Sequence, residues 1–143
     1  MTTTATGITI ERTLAAGIQR VYDAWTRPEL MVRWYCPNPA LELTAEADLR
    51  VGGDWVVAMG PNVVRGSYTE LDEPRLIAFT WKWDFDDGTP TQVRVELTEA
   101  GDGTRLVLRH TGFASAEDVA NHAEGWEGCF ERLPGLLASQ SPA

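Results

Sequence analysis

Between Leu41 and Arg109 apolar residues recur at every second position in one short run after another. Only one segment of the chain is long enough to cover the face that this spacing creates. Trp55, Val57 and Met59 share one side of a run. So do Val64, Gly66 and Tyr68, then Phe79, Trp81 and Trp83, then Val93, Val95 and Leu97, then Leu106 and Leu108. A period of two places these residues on one face of β-strands. Gly52-Gly53, Gly60-Pro61-Asn62, Glu73-Pro74, Asp87-Gly88 and Asp102-Gly103 punctuate the runs as tight turns. Together they predict an antiparallel sheet with a single apolar face.

The cover for that face comes last. Val119, Ala123, Trp126, Phe130, Leu133 and Leu137 recur at three- or four-residue steps, the stripe of a long helix. Ser115, with Asp118 three residues on, is its expected cap. Gly125 and Gly128 each cost such a helix about 1 kcal/mol relative to Ala, and are expected to let Trp126 or a neighbouring backbone approach closely. Pro134 predicts a kink.

At the other end, Gly7 to Leu14 alternates as a first strand, and Ile18, Val21, Tyr22 and Trp25 form a helical stripe. Pro28 should end that helix near Thr26. Thr26 and Glu29 then read as a capping box for a second short helix through Arg33. The expected order is β-α-α-β-β-β-β-β-β-α, an α+β domain of about seven strands over residues 7–138. Residues 1–6 are expected to be a disordered tail, and residues 139–143 a short C-terminal one. A curved sheet gripping a single helix should leave room between them toward one end.

Composition narrows the function. The net charge is −9 and the single lysine is Lys82. Phosphate backbones and anionic membranes are bound through clustered Lys and Arg, so neither is an expected partner. The N-terminus carries no secretory pattern and no apolar run could span a bilayer, which points to the cytoplasm. Cys36 and Cys129 follow no metal spacing and read as free thiols. Six tryptophans either fill a large core or line an aromatic cavity.

Several segments resemble the Hsp90-ATPase-activator-homologue family of the START-like superfamily. They are Val21 to Leu30, Arg33-Trp34-Tyr35-Cys36-Pro37, Asp48 to Gly53, Gly66 to Leu71, Pro74 to Trp81, Gly103 to Leu106 with His110, and His122 to Gly125-Trp126. The common version of the second segment is Trp-Trp-x-Pro, and this chain has Trp34-Tyr35-Cys36-Pro37. The resemblance implies a helix-grip fold, a curved antiparallel sheet wrapped around a long C-terminal helix. It implies membership of a group that includes Hsp90 co-chaperone-like proteins, lipid or polyketide binders and stress-related proteins.

The candidate site follows from the inward positions. Trp34, Met59, Trp81, Trp83, Trp126 and Phe130 are candidates for an apolar wall. Tyr68, His110 and His122 are candidates for its polar contacts. Each has a plainer alternative. His110 reads first as a neutral histidine hydrogen-bonded in the core, His122 as a packing residue at a helix edge, and Tyr68 as a donor to a backbone carbonyl. No standard catalytic motif, cofactor loop or metal-ligand set is present. The acidic run from Asp84 to Asp87 reads as a solvated turn. The leading expectation is a binding domain for a hydrophobic small molecule, a lipid or an aromatic metabolite, between sheet and helix. An Hsp90-type protein-interaction domain and a polyketide-cyclase-like enzyme are the alternatives that the resemblance implies.

Overall fold

Alternating burial defines the strands of the computed structural model, which describes residues 2–3, 7–36, 40–86 and 88–139. Strand β1 is Thr2–Thr3 and β2 is Gly7–Leu14. Helices α1 (Ile18–Thr26) and α2 (Pro28–Met31) follow. Strands β3 (Leu43–Ala47), β4 (Asp54–Met59), β5 (Asn62–Asp72), β6 (Leu76–Trp83), β7 (Thr91–Ala100) and β8 (Gly103–Thr111) come next. The last element is the 24-residue helix α3, Ala116–Ser139. One fully antiparallel sheet runs in the order β1-β2-β8-β7-β6-β5-β4-β3. The seven long strands and three helices keep the expected order. Among the described residues no helix is long and apolar enough to cross a membrane.

The inward residues of the sheet are those that the alternation marks. Trp55, Val57, Met59, Val64, Tyr68, Phe79, Trp81, Val93, Val95, Leu97, Leu106, Leu108 and His110 are all buried. The outward positions pair charges instead, as Arg105 with Glu11, Arg65 with Asp84 and Arg109 with Glu96. These exposed pairs add little stability. Helix α3 presses Val119, Ala123, Trp126, Phe130, Leu133 and Leu137 onto the inner face, all buried. Its cap forms as expected, with the Asp118 N–H donating to Ser115 Oγ at 3.1 Å.

Three local expectations change. Thr2 and Thr3, read as tail, pair with Thr9 and Ile8 along the edge of β2, because that edge offers free backbone groups. Residues 1, 4–6, 37–39, 87 and 140–143 lie outside the described set, so the remainder of both tails and the tip of the Asp87-Gly88 turn do too. The Thr26–Glu29 capping box does not form. Thr26 is the last residue of α1 and its hydroxyl donates to the Tyr22 carbonyl. Arg27 is the extended N-cap of α2, because Pro28 takes the first helical position and sets the start one residue later. Finally, α2 stops at Met31 and continues to Trp34 only as turns.

Tight turns of the sheet use glycine for its left-handed backbone. Gly60 (φ 60°) joins β4 to β5 and Gly101 (φ 60°) joins β7 to β8.

Candidate functional site

The six tryptophans serve both roles weighed from sequence. Trp25 and Trp34 meet edge to face at 4.6 Å, and Trp25 also touches Trp126 and Phe130. From there rings continue through Trp126 and Trp81 (5.1 Å) to Trp83 (5.7 Å) and the exposed Phe85. The first part of this chain is solid core. The second part borders open space.

That space is a cavity of about 590 Å³ between β6, the β4–β5 turn, the segment after α2 and α3 from Asp118 to Cys129. Its size is in the usual range for a small-molecule site, roughly 300–1,000 Å³. Exposure sorts its wall into two zones. Tyr35, Cys36, Met59, Trp81, Trp126 and Cys129 are buried and form the interior. Phe85, Asp86, Asn62 and Asn121 are exposed, and with the half-buried Leu41, Trp83, Asp118 and His122 they form the mouth. Asp118, His122, Gly125 and Cys129 follow one another along a single stripe of α3, with Asn121 and Trp126 beside it.

Of the nine candidate residues, the structure places Met59, Trp81, Trp83, His122 and Trp126 on this wall. Trp34 lies in the core beyond it, with its indole N–H donating to the Ala24 carbonyl at 2.9 Å. Phe130 packs against Trp25, Trp34 and Trp126. Tyr68 packs on Phe79, and burial raises its hydroxyl pKa. Gly125 was expected to admit a close neighbour. A Cβ there would meet nothing within 4 Å, because the residue faces the cavity.

The two histidines are fixed by indoles. An indole N–H can only donate, so the ring nitrogen it meets carries no proton. Trp126 Nε1 donates to His110 Nδ1 at 3.0 Å, which leaves the proton on Nε2, facing Thr91 Oγ1 at 2.7 Å. Thr91 in turn donates to the Trp81 carbonyl. His110 is 0% exposed, and burial, then the nearby His122, hold its pKa well below the ordinary histidine value. It is a satisfied core histidine behind the cavity wall. Trp83 Nε1 donates to His122 Nε2 at 3.0 Å, so His122 carries its proton on Nδ1 and donates to the Asp118 carbonyl at 2.8 Å. The rings are neighbours, 5.4 Å apart, in opposite tautomers, and each has both nitrogens engaged.

One polar group of the interior has no partner. The Trp81 Nε1–H is buried and makes no hydrogen bond, as are those of Trp25 and Trp55. Of the three, only Trp81 lies on the cavity wall. A buried unpaired donor costs about 1–3 kcal/mol. Tyr35 and Cys129 of the interior are weak acids kept protonated. Burial, then Cys36, push the Cys129 thiol up to about 12, although Arg132 opposes the shift. Burial carries Tyr35 well above its ordinary value. Arg132 Nη1 donates to the Cys36 carbonyl at 2.5 Å and so ties this segment to α3. Both thiols are free. Among the described residues no cluster of three His, Cys, Asp or Glu side chains is placed to hold a metal ion.

Tyr35, Cys36, Leu41, Asn62, Phe85, Asp86, Asp118, Asn121, Gly125 and Cys129 are wall residues that alternation does not mark as a site. For those on α3 the signal is present, since they fall on or beside the His122–Trp126 stripe.

The comparisons with known proteins agree with this architecture. The model of the Activator of Hsp90 ATPase homolog 1-like protein family matches residues 15–138. Protein Ms6760 from Mycobacterium smegmatis is 25% identical, with a TM-score of 0.80 over 94% of this chain and 92% of that one. CalU16 from Micromonospora echinospora is 27% identical, with a TM-score of 0.74 over 96% of this chain and 78% of its own. DynU16, from the dynemicin biosynthetic locus, shares the fold at 19% identity, with a TM-score of 0.80 over 96% of this chain and 49% of that one. No curated protein matches the chain.

Proposed function

We propose that this chain, which belongs to the Activator of Hsp90 ATPase homolog 1-like family, binds a hydrophobic small molecule between the sheet and α3. The observation that carries this reading is the cavity itself, about 590 Å³ with an interior of Met59, Trp81, Trp126 and Tyr35. An apolar ligand would gain roughly 25 cal/mol for each Å² of surface it removes from water.

The chemistry of the wall favours holding over turnover. A general base needs a free lone pair and a pKa near the working pH. His122 has both nitrogens engaged, and Tyr35 and Cys129 stay protonated. The same fold in a protein of the dynemicin biosynthetic locus is in keeping with a small-molecule occupant.

A thermal-shift panel of neutral polycyclic aromatics and lipids, read with tryptophan fluorescence, tests the proposal. The expected result is a saturable rise in Tm for some of them. The accompanying change in emission should come from Trp81, Trp83 and Trp126. No rise with any compound, and unchanged emission throughout, would overturn it.

A further inference from the structure

The cavity's mouth and interior differ in a way that selects ligand charge. The mouth carries two carboxylates, Asp86 and Asp118, together with the faces of Trp83 and Phe85. Phe85 is 72% exposed and stacks on Trp83 at 5.4 Å and 17°. Among the described residues no Lys or Arg is on the wall, and none of the residues outside the described set is basic. Two cations lie close by outside the wall, each engaged with backbone carbonyls of wall residues. Lys82 lies along the outer groove of the sheet and donates to the Trp83 and Asp86 carbonyls. Arg132 is held on the Cys36 carbonyl. The N-terminus of α3 adds about half a positive charge. It is capped by Ser115, and its first turn carries the carboxylates of Glu117 and Asp118.

Inside, the wall is made of aromatic, Met and Cys side chains, with Tyr35 and Cys129 protonated and no Lys or Arg side chain among them. A carboxylate or phosphate ligand would therefore face two like charges at the mouth, or lose its hydration in the interior without a counter-ion. An ammonium at the mouth would instead meet carboxylates and two aromatic faces.

We infer that the site takes apolar molecules bearing a protonated amine and discriminates against the matching carboxylic acids. The amine sits at the mouth between Asp86, Asp118 and the Trp83–Phe85 pair. The apolar body lies inside, against Met59, Trp81 and Trp126. This inference rests on the binding role proposed above and names its ligand class.

Three fluorescent probes with one body separate the two ideas: 1-pyrenemethylamine, 1-pyrenemethanol and 1-pyrenecarboxylate, titrated at pH 7.5. The expected order is amine, then alcohol, then acid, with amine over acid on the order of tenfold or more. In the double variant Asp86→Asn/Asp118→Asn the amine-to-acid ratio should fall to about one. The Asp86→Asn change keeps a side-chain oxygen to accept the Gly88 N–H, as Asp86 does, and a Tm measurement checks that the fold is retained. Alcohol binding with equal or better binding of the acid overturns the charge selection and leaves the cavity reading intact. Failure of all three probes overturns the cavity reading, and this inference with it.

Discussion

The two halves of α3 use one stripe for opposite ends. The C-terminal half buries Leu133, Leu136 and Leu137, and Arg20 of α1 clamps it by donating to the Leu137 carbonyl. Branched aliphatic side chains there close the gap. The N-terminal half carries Asp118, His122, Gly125, Trp126 and Cys129, and it faces the cavity. Flat rings cannot tile a curved space as Leu and Ile can, and Gly125 contributes no side chain at all. Two of the indoles are also tethered to histidines, Trp126 to His110 and Trp83 to His122, so they cannot swing in to fill the gap. The difference teaches that a grip fold becomes a container when the side chains at one end are large, rigid and hydrogen-bonded at their edges.

That contrast can be broken by truncation. Leu133 is 0% exposed in the filled half, so Leu133→Ala should cost about 2–5 kcal/mol. Met59 borders the open half, where a truncated side chain has fewer close contacts to lose. Met59→Ala should fall at the low end of that range, about 2 kcal/mol. Urea denaturation of both variants measures the two costs. Equal losses would mean that the open half is as tightly packed as the closed one.

A smaller effect sharpens the role of the tethers. His110 stays neutral in the native state, while in the unfolded chain it takes a proton near its ordinary pKa of about 6.5. The unfolded state therefore binds more protons as pH falls below that value. Stability is complete above about pH 6.5 and is lost below it, by up to about 1.4 kcal/mol per pH unit for one proton. His110→Gln keeps a donor and an acceptor but cannot titrate, so its denaturation midpoint should vary less between pH 7 and pH 5. An unchanged slope in that variant would assign the pH dependence to another group.

Much of the fold is legible in the chain because it rests on periodicity. Val93, Val95 and Leu97 declare their face, as do Leu106, Leu108 and the α3 stripe, since burial on one side is all that the pattern requires. The Thr26 capping box misled because a one-residue offset at Pro28 decides which residue is the cap. The cavity wall is only partly legible. Met59, Trp81, Trp83, His122 and Trp126 can be named as inward from spacing alone. Whether an inward residue meets another side chain or open space depends on the curvature of the sheet, which no local pattern records. Trp34, His110 and Phe130 share the inward signature of the wall residues and lie behind it. The histidine tautomers depend on indoles from other elements, Trp126 of α3 for His110 and Trp83 of β6 for His122, so they emerge only from the fold.

The central claim is that the gap beside Gly125 is real and open to a ligand. It is tested most directly by titrating 1-pyrenemethanol into the wild-type chain and Gly125→Phe, with Tm recorded for each. Phe at this position replaces a poor helix former and projects into space that holds no neighbour. The expected result is saturable binding by the wild type, and loss of binding by the variant with no fall in Tm. Equal binding by both proteins, or a variant that unfolds because the space was already occupied by packed side chains, would contradict it.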